Sequence, residues 1–347
     1  MPASLHYAMS RAFGLVLALT LASTSALALP TYSDIYTFGD SLSDTGNLAS
    51  LYPDGDLAPV AATVGYGPND RFSNGPLWHE YLADTLSVAR ASHSNGGGNS
   101  YAHAGAQVND AVGLSAGMLT QHAQYNSASG GISDPDALYI AWAGGNDLLA
   151  LAGDVNPLLA IEARLDALLG MLTGLVDSGA NTLLVPNLPD LGSIPQLAGS
   201  ANAPIATALT TYWNTGLEQR LLDLGTNNSA SIFYFDVFGL FNSILANPAA
   251  AGFSNTTEGC RYVEEAGPGN LPTEFSCAGA DSYLFWDQMH PTTAAHQLLG
   301  SSAFELLASG QAIGGPGQVP APLTLWLLLS GLVLLAWTGR GGIRHRL

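Results

Sequence analysis

The chain has 347 residues, 47% of them hydrophobic, and carries 27 acidic against 9 basic side chains with no lysine. Both terminal segments lack acids, and only Arg71, Arg90, Arg164, Arg220 and Arg261 fall between residues 29 and 318, so this body has a formal charge of 5 − 27 = −22. A field of that sign repels phosphate backbones and anionic surfaces, which argues against a nucleic-acid-binding role.

The amino terminus reads as an export signal. Arg11 supplies a positive start, Phe13 to Leu21 an apolar stretch, and Ala26-Leu27-Ala28 a small-residue cleavage pattern, giving a signal peptide over 1–28. A buried helix or an uncleaved anchor competes with this reading, but the apolar run is short for a membrane span.

The body reads as strands alternating with helices. Ile35 to Phe38, Leu138 to Trp142, Thr182 to Val185 and Ile232 to Phe235 are short apolar runs rich in β-branched or aromatic residues and bounded by turn formers. Ile161 to Val176, Ile205 to Leu224 and Thr293 to Leu307 repeat apolar residues at helical spacing, with Leu165, Leu168, Leu169 and Leu172 on one face of the first. Such alternation predicts a single α/β domain over 29–310 with a parallel sheet covered on both faces. Sheets of this kind bind ligands beyond the carboxyl ends of their strands.

Three segments just after or near such ends carry chemistry. Gly39-Asp40-Ser41-Leu42-Ser43-Asp44-Thr45-Gly46-Asn47 puts a serine at a strand-to-loop junction beside a glycine, where its hydroxyl is exposed; an ordinary solvated turn is the plainer reading. Ala143-Gly144-Gly145-Asn146-Asp147 combines glycines that admit close backbone approach with an amide donor, or else simply caps a helix. In Asp287-Gln288-Met289-His290 one turn can bring the carboxylate against Nδ1–H of the histidine, leaving Nε2 free to take a proton from a serine. A lone surface histidine is the alternative.

Cys260 and Cys277, an even pair in an exported chain, read as one disulfide, although two free thiols remain open. Closing that 17-residue separation would restrict the unfolded chain by about 3 kcal/mol. Two cysteines without a nearby histidine cannot complete a zinc site. His79, beside Glu80, lacks the second histidine of a zinc helix, and His93, His103, His122 and His296 read as structural. The Asp54-Gly55-Asp56 turn is too short a run of ligands for an EF-hand loop.

The carboxy terminus is a second special region. A Gly/Pro-rich linker over 311–322 leads into an apolar run, Leu323 to Thr338, and then Arg340, Arg344 and Arg346. Sixteen residues give about 24 Å, slightly short of the roughly 30 Å bilayer core, which the run just spans with Val319 to Pro322 included, and no face of it is polar. These features predict a transmembrane helix over 323–339 and a basic cytoplasmic tail over 340–347.

Taken together, the motifs resemble the GDSL, or SGNH, family of esterases and lipases. The resemblance runs in order through the Ser41 segment, Ser73-Asn74-Gly75-Pro76-Leu77-Trp78, Tyr101-Ala102-His103-Ala104-Gly105-Ala106, Gly144-Gly145-Asn146-Asp147, Asn187-Leu188-Pro189-Asp190-Leu191-Gly192 and Phe285-Trp286-Asp287 to His290-Pro291. It implies a flavodoxin-like three-layer α/β/α fold and hydrolysis of a small-molecule or lipid ester through an acyl-serine, with no metal or other cofactor. Ser41 would be the nucleophile, His290 the base and Asp287 its orienting partner. The backbone N–H groups of Ser41 and Gly105 and the amide of Asn146 would form the oxyanion hole. The Gly-x-Ser-x-Gly elbow of α/β-hydrolases is absent. A carbohydrate or polymer deacetylase on the same triad, and a surface or matrix protein that has lost turnover, are the rival readings. Val319-Pro320-Ala321-Pro322, the apolar helix and the arginines resemble a PEP-CTERM-type sorting signal, which implies a transpeptidase partner; Ala321 stands where that motif has Glu.

Overall fold

Four strands build the central sheet in the computed structural model, which describes residues 30–51, 70–109, 115–151, 154–264 and 273–314. They are β1 (Ile35–Gly39), β2 (Leu138–Trp142), β3 (Thr182–Pro186) and β4 (Ser231–Phe235), all parallel and in the order β1-β2-β3-β4. Their apolar composition follows from burial on both faces, and every residue of β2 is buried. Each lies within one residue of its predicted limits.

A fifth ladder was not legible as a strand. Thr37 N donates to Asn99 O at 3.0 Å, Tyr101 N to Thr37 O at 2.7 Å and His103 N to Gly39 O at 3.0 Å. Residues 99–103 therefore run along the edge of β1 that faces away from β2. The chain leaves β1 outward to this edge, then returns across the sheet to β2. That reversal makes the carboxyl ends of β1 and β2 a topological switch point, where neighbouring loops part and leave a crevice.

Helices α1 (Asn47–Ser50), α2 (Trp78–Leu86), α3 (Met118–Ser129), α4 (Gly145–Ala150), α5 (Pro157–Asp177), α6 (Ala203–Asn227), α7 (Val237–Ala246) and α8 (Thr293–Ser309) complete a three-layer α/β/α arrangement. Helix α5 starts with Pro157, whose missing N–H costs nothing there, and buries Ile161, Leu165, Leu168, Leu172 and Leu175 as one stripe. Its outer side is joined to α6 by Arg220, whose Nη2 donates to Glu162 and Asp166, each at 2.6 Å. On the other face α8 lies close against α2. A Cβ at Gly300 would stand 2.6 Å from Trp78 O, so only glycine allows that approach.

A small β layer flanks the sheet. Strand β5 (Asn255–Gly259) pairs with β8 (Tyr283–Phe285), and β6 (Arg261–Glu264) forms an antiparallel hairpin with β7 (Thr273–Ser276). Cys260 and Cys277 are disulfide-bonded, their Cα atoms 5.0 Å apart.

One expectation needs correction. The folded body runs past Gly310: Ile313 N donates to Ile232 O at 2.7 Å, so the first residues of the expected linker are fastened to β4. The signal peptide, the Asp54-Gly55-Asp56 turn, the transmembrane run and the basic tail lie outside the described residues. Among the described residues no helix is long and apolar enough to cross a membrane.

His296, on α8, is fully buried and neither ring nitrogen has a hydrogen-bond partner. Burial first, then the neighbouring His79 and His290, push its pKa down to about 3, against a weaker pull from Glu80. The unfolded chain protonates this ring near pH 6.5 while the folded one does not, so stability falls as pH drops from about 6.5 toward 3. His296→Leu should remove one proton from that dependence. Urea unfolding between pH 4 and 6 should then show a slope lower by about 1.4 kcal/mol per pH unit; an unchanged slope would mean the ring is charged inside the fold.

Candidate active site

The turn after β1 is held from three sides. Gln121, on α3, accepts from Gly39 N at 2.9 Å and donates to Gly39 O at 2.8 Å. Its amide thus copies a strand neighbour for one residue. A Cβ on Gly39 would lie 2.7 Å from Trp142 O, so glycine is required where β1 and β2 end together. Beyond it, Asp40 Oδ1 accepts from Leu42 N and its carbonyl from Ser43 N, both at 3.0 Å, and Ser41 sits on the turn.

Asp44 fastens this turn to the next loop. Its carboxylate accepts four backbone N–H groups: Gly46 at 2.8 Å, Asn47 at 2.6 Å, Leu48 at 3.1 Å and Ala104 at 2.8 Å. It is fully buried, and burial pushes its pKa up against those bonds. Asn47 extends the link by donating to Ser100 O and Ala102 O. His79 on α2 reaches the same turn, its Nε2 lying 3.2 Å from Ser43 O.

The histidine loop arrives from the other end of the chain. Asp287 Oδ1 accepts from Met289 N and His290 N, both at 2.8 Å, which folds the predicted turn. Its Oδ2 is 2.8 Å from His290 Nδ1, and His290 Nε2 is 2.8 Å from Ser41 Oγ. An ionised carboxylate only accepts, so the ring proton sits on Nδ1 and Nε2 turns a lone pair to the hydroxyl. Burial pushes the Asp287 pKa up, but the His290 ring and the two backbone N–H groups outweigh it and leave the carboxyl lowered. All three side chains are buried to within a tenth of their surface. This geometry can carry a proton away from a serine hydroxyl.

Block Ser73 to Trp78 supports that loop. Ser73 Oγ donates to Pro291 O at 2.9 Å, Asn74 Oδ1 accepts from Thr293 N at 2.7 Å and Thr293 Oγ1 donates to Pro76 O at 2.9 Å. Arg71 grips Glu80 through two bonds of 2.7 Å, and Glu80 accepts from Leu77 N, setting the start of α2.

The edge segment ends in a turn closed by Ala106 N donating to His103 O at 3.0 Å, with Gly105 in third place at φ +78°. A turn of this type needs positive φ at that place, which a glycine adopts without strain. Among the described residues neither Ser41 N nor Gly105 N donates to another protein atom, so both remain available. Asn146 is partly engaged: its amide donates to Ala106 O at 3.0 Å, and its second hydrogen faces Asp40 Oδ2 at 3.4 Å, beyond the usual range. Asp40 is pushed up to about 6 by burial, opposed by Leu42 N–H and His290. The structure thus brings Ser41, His290 and Asp287 within hydrogen-bond reach of one another, and ties the Gly105 turn and Asn146 to the loop that carries Ser41. Among the described residues no cluster of His, Cys, Asp or Glu could hold a metal ion.

Asp44, Gln121 and Asp147 were not assigned roles from sequence. Asp44 could have been found as an acid three residues before a helical start, a position that satisfies free N–H groups. Gln121 could not, because its partner is 82 residues away.

A buried Ser-His-Asp arrangement with free backbone donors beside it, on a parallel α/β sheet, defines the class of serine hydrolases. The GDSL-like Lipase/Acylhydrolase family model matches residues 35–303, and the chain belongs to that family. It is 28% identical to a phosphatidylcholine-sterol acyltransferase of Aeromonas hydrophila, over 81% of this chain and 91% of that protein. It is 26% identical to a GDSL esterase/lipase of Arabidopsis thaliana, over 83% and 94%. A thermolabile hemolysin of Vibrio parahaemolyticus is 25% identical over 78% of this chain and 63% of that protein. The protein is an ester-cleaving hydrolase.

The disulfide buttresses the acid. Cys260 N donates to Phe285 O at 3.1 Å and Arg261 N to Trp286 O at 2.6 Å, while a Cβ on Gly259 would run into the backbone of Asp287. Reduction frees a 17-residue separation, with an expected loss of about 3 kcal/mol. Thermal unfolding with and without reductant should show that loss, and ester turnover should fall at temperatures where the protein is still folded. Unchanged turnover would separate the hairpin from the site.

Proposed function

We propose that Ser41 attacks the carbonyl carbon of a carboxylic ester while His290 Nε2 takes the hydroxyl proton. A C–O bond forms, the carbonyl pair moves onto oxygen, and Asp287 stabilises the imidazolium. Ser41 N–H, Gly105 N–H and the second hydrogen of the Asn146 amide receive that oxyanion; in the acyl-transfer enzymes where it has been measured, losing one such donor costs about 3 kcal/mol. Collapse expels the alcohol, which leaves with the proton from His290. Water, deprotonated by the same ring, then releases the acid and restores Ser41. The observation that carries this reading is the continuous chain from Asp287 Oδ2 through His290 to Ser41 Oγ, with both links 2.8 Å long.

Ser41→Ala should abolish hydrolysis of p-nitrophenyl esters and labelling by a fluorophosphonate while the fold stays intact. Asp287→Asn should slow turnover less than loss of Ser41 or His290, since the acid orients and does not react. Near wild-type turnover in Ser41→Ala would remove the mechanism. A panel of short, medium and long acyl esters beside acetylated sugars separates a lipase-type substrate from a carbohydrate deacetylase.

The same proposal extends to location. Arg11 with the apolar stretch before Ala28, the cysteine pair, and the apolar run followed by Arg340, Arg344 and Arg346 support an exported enzyme tethered at least transiently by its carboxy-terminal helix. An epitope placed after Leu347 should stay with the membrane fraction if the helix is a plain anchor. It should be missing from released enzyme if a transpeptidase cuts near Pro322. Recovering it on released, active enzyme would eliminate both.

A further inference from the structure

The turn that carries Gly105 is gripped from two sides. Asp44 holds Ala104 N on one side, at 2.8 Å. On the other, consecutive residues of α4 hold it: Asn146 donates to Ala106 O at 3.0 Å, and Asp147 accepts from Val108 N with both oxygens, at 3.1 and 3.2 Å. Asp147 is wholly buried, and burial pushes its pKa up to about 6, opposed by Val108 N–H and Arg164. A carboxylate in that position needs a counter-charge, because breaking a buried pair leaves an uncompensated charge.

Cations are scarce in this body, and their placement is informative. Arg71 and Arg90 pair with Glu80 and Asp84 at α2, and Arg220 joins α5 to α6 at the surface. Arg164 pairs instead with the wholly buried carboxylate of Asp147 on α4. Its Nε donates to Asp147 Oδ1 at 2.8 Å and its Nη1 to Ala160 O at 3.2 Å, so the guanidinium is anchored on its own helix.

We infer that Arg164 and Asp147 form a positioning pair that sets where the Gly105 N–H points, and so tunes stabilisation of the oxyanion. The inference rests on the reading of Gly105 as an oxyanion donor. Neither residue touches the reacting atoms. Removing the guanidinium leaves Asp147 to take up a proton or to stay charged without a partner. Protonation weakens its hold on Val108 N, while a buried carboxylate left charged without its counter-ion relaxes toward other donors; in both cases the turn three residues earlier shifts. Misplacement of a donor acts on the transition state more than on the bound ester, so turnover falls while KM holds.

The test compares full-length wild type with Arg164→Met, Arg164→Lys, Asp147→Asn and the control Arg220→Met. Arg164→Met should lower kcat on p-nitrophenyl butyrate about 10- to 100-fold with KM within about twofold. Affinity for a phenylboronic acid, whose tetrahedral adduct on Ser41 places an oxygen at the oxyanion position, should fall by the same factor. Arg164→Lys should recover part of both, and Arg220→Met should change neither. If Arg164→Met fails to fold, Asp147→Asn, which keeps the volume, must show the same split. The inference is overturned if kcat is unchanged, if kcat falls without loss of boronate affinity, or if Arg220→Met behaves alike. Wild type that neither hydrolyses esters nor takes the fluorophosphonate at Ser41 would instead bring down the underlying reading, and this inference with it.

Discussion

Everything in the site depends on the chain parting at the end of β1. One connection runs outward to the edge segment at residues 99–103, the other crosses to β2, and the loops that follow all three meet over the gap. A parallel sheet buries its strands completely, so its loops at this end are the first backbone free to meet a ligand. Gly39 enforces the arrangement, since any side chain there would collide with Trp142 O and push β1 and β2 apart. Ser41 follows two residues later, and Asn146 follows β2 in the same way.

The loops are joined by buried carboxylates more than by apolar packing. Asp44 gathers four N–H groups from two loops, Asp287 folds its own turn and orients His290, and Asp147 holds the backbone beyond Gly105. Loops cannot bury much hydrocarbon, and their unpaired N–H groups need acceptors away from water. A carboxylate has two oxygens and can satisfy several donors at once. The acidic excess of the body is therefore partly structural. Its cost is the raised pKa of Asp40, Asp44 and Asp147, which burial imposes and backbone donors offset in part.

The histidine loop is braced separately because it comes from the end of the domain, 249 residues from Ser41. Two supports converge on it. Ser73 and Asn74 hold Pro291 and Thr293 from one side, and the disulfide-closed hairpin backs Phe285 to Asp287 from the other. Both restrict Asp287 and His290, which is the preorganisation that the proposed attack by Ser41 requires.

The sequence by itself determined the four strands of the central sheet, three long helices, the order of the loops and the candidates Ser41, Asp287 and His290, which the structure brings within hydrogen-bond reach. These are local properties: apolar runs of five residues, helical spacing in α5, α6 and α8, and a four-residue turn from Asp287 to His290. The cysteine pairing was legible too, because only two cysteines exist. Tertiary structure alone decided that residues 99–103 form an edge ladder, that Gln121 replaces a strand neighbour for Gly39, and that Arg164 faces Asp147. The edge segment has too few bridges and too mixed a composition to be read as a strand. Gln121 and Arg164 act on partners 82 and 17 residues away, across a gap that no periodicity encodes. Position along the chain sets which residues can react, and packing sets which of them are held where reaction is possible.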